Sequence, residues 1–228
     1  MPEYLHPAHI ANVVTSFAFL WSGIAVCLFW FIERTQPIRW LFFYITIIIT
    51  AVPTIAHHII PQDMSWTSLD IMSNILLVFS LQIALAGDYL SPKSHRLFLI
   101  ILTIFNLLVF GYLLSLLFLP VPNFYLSLGN NKGFTLGEIA LILNAILAVI
   151  ILGLNFGKLD VREKVILLLI IAIFSMGLYF ATGSDDYIYP KYIGWHSMWH
   201  LTASFGFVFF WYFNHLRFSV KENKYDSA

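Results

Sequence analysis

The chain is poor in the features on which soluble and secreted proteins depend. It has one cysteine in 228 residues, Cys27, so an internal disulfide and a cysteine-based metal site are both excluded. That thiol sits in the middle of the first apolar stretch and reads as packing. Charged residues make up only 11% of the chain, where a soluble domain carries about a quarter. Lys and Arg balance Asp and Glu to a net charge of +0, which gives no hint of a nucleic-acid partner. Internal repeats, low-complexity tracts and nucleotide-binding glycine loops are missing. The first residues, Met1-Pro2-Glu3-Tyr4-Leu5-His6, lack the basic segment of a cleavable secretory signal, so the apolar stretch that follows is expected to be retained.

What fills the chain is hydrophobic sequence, 60% of all residues. A hydrocarbon core about 30 Å thick needs about 20 apolar residues per helix, and spanning segments must be helices or closed barrels. Continuous apolar runs exclude the alternating pattern of a barrel. The sequence therefore predicts an all-α membrane protein, a single domain of seven transmembrane helices. The spans run from about Ile10 to Ile32, Trp40 to Ile60, Ser68 to Gly87, Leu97 to Leu119, Leu136 to Gly157, Val165 to Gly183 and Gly194 to Leu216, with a tail over 217–228. Short connectors such as Glu33-Arg34-Thr35-Gln36-Pro37 and Ser91-Pro92-Lys93-Ser94-His95-Arg96 leave no room for a soluble domain.

Positive charge favours the cytoplasmic side. Connectors one, three and five and the tail hold Arg34, Arg39, Lys93, Arg96, Lys158, Arg162, Lys164, Arg217, Lys221 and Lys224, against Lys132 and Lys191 on the other side. This places the N-terminus outside, or in the lumen, and the C-terminus in the cytosol. The brevity of loops and tails suggests a bacterial inner membrane, with an internal eukaryotic membrane as the alternative.

Against this background the histidines stand out. His196 and His200 lie four residues apart in the seventh span, on one helix face and within reach of one metal ion. Ionisable groups in a span cost on the order of several kcal/mol unless compensated, so two together need a reason. The plainer one is a neutral polar contact between helices. The orientation, however, brings His57-His58 at the end of the second span and Asp70 at the head of the third to the same leaflet as His196. The short connector between spans two and three, 61–67, makes them antiparallel neighbours.

Three imidazoles with an open position form a standard catalytic zinc arrangement, in which the metal polarises a carbonyl and acidifies a water. His58, His196 and His200 are the expected ligands, although a kink at Pro53 would exchange His57 for His58. Asp70 is the candidate acid/base. Thr54, one turn before His58, can hydrogen-bond an oxyanion or orient Asp70. The plain alternatives are that Asp70 favours a helix N-terminus and that Thr54 satisfies a carbonyl freed by Pro53. Asn74, Gln82, Asn106 and Asn144 read as interhelical hydrogen bonds, His6, His9, His95 and His215 as residues of the membrane rims, and Glu138, Asp185 and Asp186 as solvated loop charge. A retinal protein is demoted because the seventh span has no lysine for a Schiff base, and haem because histidines at i and i+4 suit one ion better than two faces of a porphyrin.

Thr54-x-x-x-His58, Asp70 and His196-x-x-x-His200, in that order and sidedness, resemble the motifs of the CREST superfamily of seven-span membrane proteins, which includes alkaline ceramidases, adiponectin-type receptors and myomaker-like proteins. Asn12-Val13-Val14-Thr15-Ser16 is similar to a stretch of the ceramidase first helix, and His196-Ser197-Met198-Trp199-His200-Leu201-Thr202 to its last. The resemblance implies zinc on the three histidines and hydrolysis of a lipid amide with the aspartate as acid/base. Two departures stand out. Thr54 replaces a serine, and the acidic cluster that binds calcium before the first helix is missing, with only Glu3 there and His9 at an acidic position. That argues against a calcium site and weakens the case for ceramide itself. The expectation is a zinc-dependent hydrolase of an amide (ceramide-like) or ester bond in a membrane lipid; the alternative is a receptor-like or fusion-like protein with structural zinc.

Overall fold

A computed structural model describes residues 7–60, 64–119, 125–127, 133–181, 187–189 and 193–225. Its seven helices are α1 (Pro7–Glu33), α2 (Ile38–Ile59), α3 (Met64–Tyr89), α4 (Pro92–Phe118), α5 (Leu136–Asn155), α6 (Val161–Ala181) and α7 (Trp195–Tyr225). Six of them, α1 to α6, are long and apolar enough to cross a membrane. The seventh falls short because His196, Ser197, His200, Thr202, Ser204, Asn214 and Arg217 dilute its hydropathy. All of these but His196 are buried, so the polar side of α7 is turned into the protein.

Local chemistry explains the helix ends. Pro92, whose missing N–H is harmless in a first turn, opens α4 behind Ser91, whose Oγ accepts from the Ser94 amide at 3.3 Å. Thr135 and Glu138 form a capping box on α5: the Thr135 amide donates to Glu138 Oε2 at 2.7 Å and the Glu138 amide to Thr135 Oγ1 at 3.3 Å. Glu138 is thus a helix cap, where the sequence suggested solvated loop charge. Arg34 closes α1 in the left-handed region (φ 51°), its amide donating to Trp30 O at 2.8 Å. Two small hairpins precede α5 and α7: β1 (Tyr125–Ser127) pairs antiparallel with β2 (Gly133–Thr135), and β3 (Tyr187–Tyr189) with β4 (Ile193–Gly194). Glu3, His6, Lys132, Asp185, Asp186, Lys191 and residues 61–63 of the connector from span two to span three lie outside the described residues, as does the side chain of His9.

The chain divides into two compact units, Met1–Ile59 with Lys158–Ala228, and Ile60–Gly157. In the first, α1 packs against α2 and α7, and α6 against α7. Glycines permit the close approaches. A Cβ on Gly23 would stand 2.8 Å from Ile48, one on Gly177 2.9 Å from the Trp199 ring, and one on Gly206 2.6 Å from Phe174. At the Glu33 end of α1, His215 Nδ1 meets Glu33 Oε2 at 2.7 Å, and Tyr44 OH donates to Gln36 Oε1 at 2.7 Å while accepting from Asn214 at 3.1 Å. Cys27 is buried and free, as expected of packing.

In the second unit α3 packs on α4 and α5 around Ile75, Val109, Leu113 and Ala140. Buried amides cross-link it. Gln82 Nε2 donates to Asn144 O at 2.7 Å, and Asn106 and Asn144 exchange side-chain bonds of 3.0 and 3.3 Å. These three make the interhelical bonds the sequence led us to expect. Asn74 instead turns back along its own helix onto Asp70.

Candidate metal centre

The helical run of α2 ends one residue after His58, while His196 and His200 occupy the first two turns of α7. Their nitrogens converge. His58 Nε2 lies 3.1 Å from His200 Nε2 and 3.2 Å from His196 Nε2, and one ligand atom from each of the three lies within 4.8 Å of the others. Donors set tetrahedrally around zinc at about 2.0–2.1 Å stand about 3.3 Å apart, so the spacing suits a single ion.

Hydrogen bonding alone does not explain it. An imidazole nitrogen has one in-plane direction, used either by a proton or by a lone pair. His58 Nε2 therefore cannot make in-plane hydrogen bonds to two neighbouring nitrogens at once. A cation shared by all three satisfies every lone pair, and the three residues together fit a metal ion.

His200 is fully buried and held edge-on by Phe19, with ring centroids 5.6 Å apart. Its Nδ1 lies 3.0 Å from Thr15 Oγ1 and 3.4 Å from Ser16 Oγ. Ser197, three residues earlier on α7, donates to Asn12 Oδ1 at 2.6 Å and ties the histidine-bearing turn to α1. His196 is half-buried, which leaves one side of the cluster more open than the other. His57, the alternative at the α2 end, is outside the group; its ring sits 5.1 Å from that of His58.

Thr54 is buried, and its hydroxyl donates to Thr50 O at 2.9 Å. This is an ordinary bond to the carbonyl one turn back; the carbonyl freed by Pro53 belongs to Ile49. Any bond from Thr54 to an oxyanion requires the proton to leave Thr50.

Asp70 belongs to the other compact unit. It is the seventh residue of α3, which begins at Met64, four residues before the expected start, and the first turn holds no acidic residue. Helix-dipole stabilisation fades beyond the first turn, so that plain account of Asp70 is removed. Asn74 Nδ2 donates to its Oδ1 at 3.2 Å and to its backbone carbonyl at 3.0 Å, which restrains the half-buried carboxylate.

Thr15 and Ser16 had no role on sequence grounds, though they lie in the stretch Asn12-Val13-Val14-Thr15-Ser16. Two adjacent hydroxyls in an apolar span were the available signal. Neither comparison with protein-family models nor comparison with curated proteins finds a match to this chain.

Proposed function

We propose that the protein is a seven-span membrane hydrolase that holds zinc through His58, His196 and His200 and cleaves an amide, or an ester, of a membrane lipid. The observation that carries the reading is the convergence of three histidine nitrogens from α2 and α7 within a unit of apolar helices. The motif resemblance to the CREST superfamily supplies the reaction class. The inward-turned polar face of α7 supports a seventh span, and the distribution of Lys and Arg supports an outer N-terminus and a cytosolic C-terminus.

Bound zinc supplies Lewis-acid polarisation of a carbonyl and acidification of water. The chain's own residues do the rest. His58, His196 and His200 would hold the ion as neutral ligands that add no negative charge, leaving it more strongly polarising than anionic ligands would. By the motif resemblance Asp70 would be the acid/base that takes a proton from water and returns it to the leaving nitrogen, and Asn74 Nδ2 donates to its Oδ1 at 3.2 Å. Thr54 exchanges its bond to Thr50 for one to the developing oxyanion. A lipid arrives laterally, its chains remaining in apolar surroundings while its polar group reaches the more open His196 side.

The test is zinc content per chain in detergent-purified protein, beside a folded His196→Ala, His200→Ala variant, followed by a lipid-amide and lipid-ester panel. About one zinc in the wild type, none in the variant and turnover that Asp70→Asn abolishes without loss of zinc are expected. Zinc without turnover on any lipid would identify the ion as structural. Equal zinc in both proteins, or none in either, defeats the metal reading.

A further inference from the structure

We infer that Thr15, backed by Ser16, is a positioning residue that holds His200 in the Nδ1–H tautomer and thereby turns the Nε2 lone pair toward the other two histidines. The inference deepens the metal-site reading and rests on it for its functional consequence, although the tautomer itself does not depend on a metal.

The direction of each hydrogen bond follows from the backbone of α1. A hydroxyl has one proton. Thr15 Oγ1 directs its proton to the carbonyl of Ala11 at 2.7 Å, with the Asn12 carbonyl also near at 3.3 Å. Ser16 Oγ directs its own to the Asn12 carbonyl at 2.6 Å. With both protons engaged one turn back, both oxygens face His200 as acceptors. The 3.0 Å contact to Thr15 is then the bond from Nδ1–H, with Ser16 Oγ a second acceptor beside it at 3.4 Å. A neutral ring with its proton on Nδ1 has its lone pair on Nε2, the atom 3.1 Å from His58 Nε2.

The opposite arrangement is penalised twice. A lone pair on Nδ1 would face two oxygens whose protons are committed elsewhere, and the Nε2 proton would point into the cluster where a cation belongs. Ser16 and His200 are both fully buried, so bulk water is not at hand to repair the first fault. Partners on the distal nitrogen of a metal-bound histidine commonly account for 10–100-fold in metal affinity. Here that partner comes from α1, which supplies none of the three ligands.

The experiment compares wild type, Thr15→Val, Thr15→Ser and Thr15→Val combined with Ser16→Ala, each purified whole. Two quantities are read: zinc affinity by chelator competition, and the ring-nitrogen 15N shifts of His200 in the metal-free protein. Thr15→Val is expected to bind zinc about 10–100-fold more weakly, the double variant more weakly still, and Thr15→Ser about as well as wild type. The 15N shifts are expected to report Nδ1–H in wild type and Thr15→Ser, and a mixture of tautomers in the double variant. Wild-type affinity and tautomer in the double variant would overturn the inference. So would a Thr15→Ser as weak as Thr15→Val, since packing of the methyl would then be what matters. If wild type binds no zinc the metal reading falls, and the metal-free shifts alone decide whether Thr15 sets the tautomer. Should Thr15→Val not fold, Thr15→Ser and Ser16→Ala carry the same two measurements.

Discussion

At the scale of single residues, the two histidines at the end of α2 are chemically identical neighbours with different surroundings. On an ideal helix their side chains diverge by about 100°, so only one can face α7. His58 is that one; His57 stays outside the cluster. His58→Ala is therefore expected to lose stoichiometric zinc, while His57→Ala keeps about one ion per chain, both read by metal analysis of folded protein. Retention by His58→Ala and loss by His57→Ala would exchange the two roles. Asp70 and Thr54 show the same dependence on surroundings. Helix capping does not explain the first, and the second spends its proton on Thr50 at 2.9 Å.

At the scale of elements, α7 meets its neighbours through small residues that let backbones approach. Gly177 is the clearest case. A methyl there would stand 2.8 Å from Thr202 Oγ1 and 2.9 Å from the ring of Trp199, the residue before His200. Gly153, by contrast, has nothing within 4 Å of the same atom. Gly177→Ala should destabilise by about 1–3 kcal/mol through overpacking. Gly153→Ala should leave stability unchanged or raise it by up to about 1 kcal/mol, since alanine is the better helix former. Denaturant unfolding in detergent measures both, and equal effects would show that α6 and α7 are not held at this distance by Gly177.

At the scale of the whole molecule, one compact unit is assembled from the two ends of the chain, Met1–Ile59 and Lys158–Ala228. The ligands it joins are 138 and 142 residues apart in sequence. An ion on all three would tie α2 to α7, and a ligand bound by the folded state alone stabilises it by mass action. The gain is about 4 kcal/mol at a free concentration of about 1,000 Kd. Stripping the metal with a chelator should lower the unfolding midpoint of wild type and leave His196→Ala, His200→Ala unchanged. An equal shift in both would mean that the chelator acts elsewhere.

Much of this was legible in the sequence because membrane insertion is decided locally. Each run of about 20 apolar residues reports on itself, so the number and approximate place of the helices followed, as did three histidines able to share one ion. The ends were read less well: α7 runs on to Tyr225, and the cap Thr135-x-x-Glu138 passed as loop charge. What only tertiary structure decided is how each helix is turned about its own axis. That rotation depends on the collective packing of several helices, and no segment encodes it alone. It selects His58 over His57, sends Asn74 back to Asp70 rather than across to another helix, and brings the hydroxyls of Thr15 and Ser16 to the far nitrogen of His200.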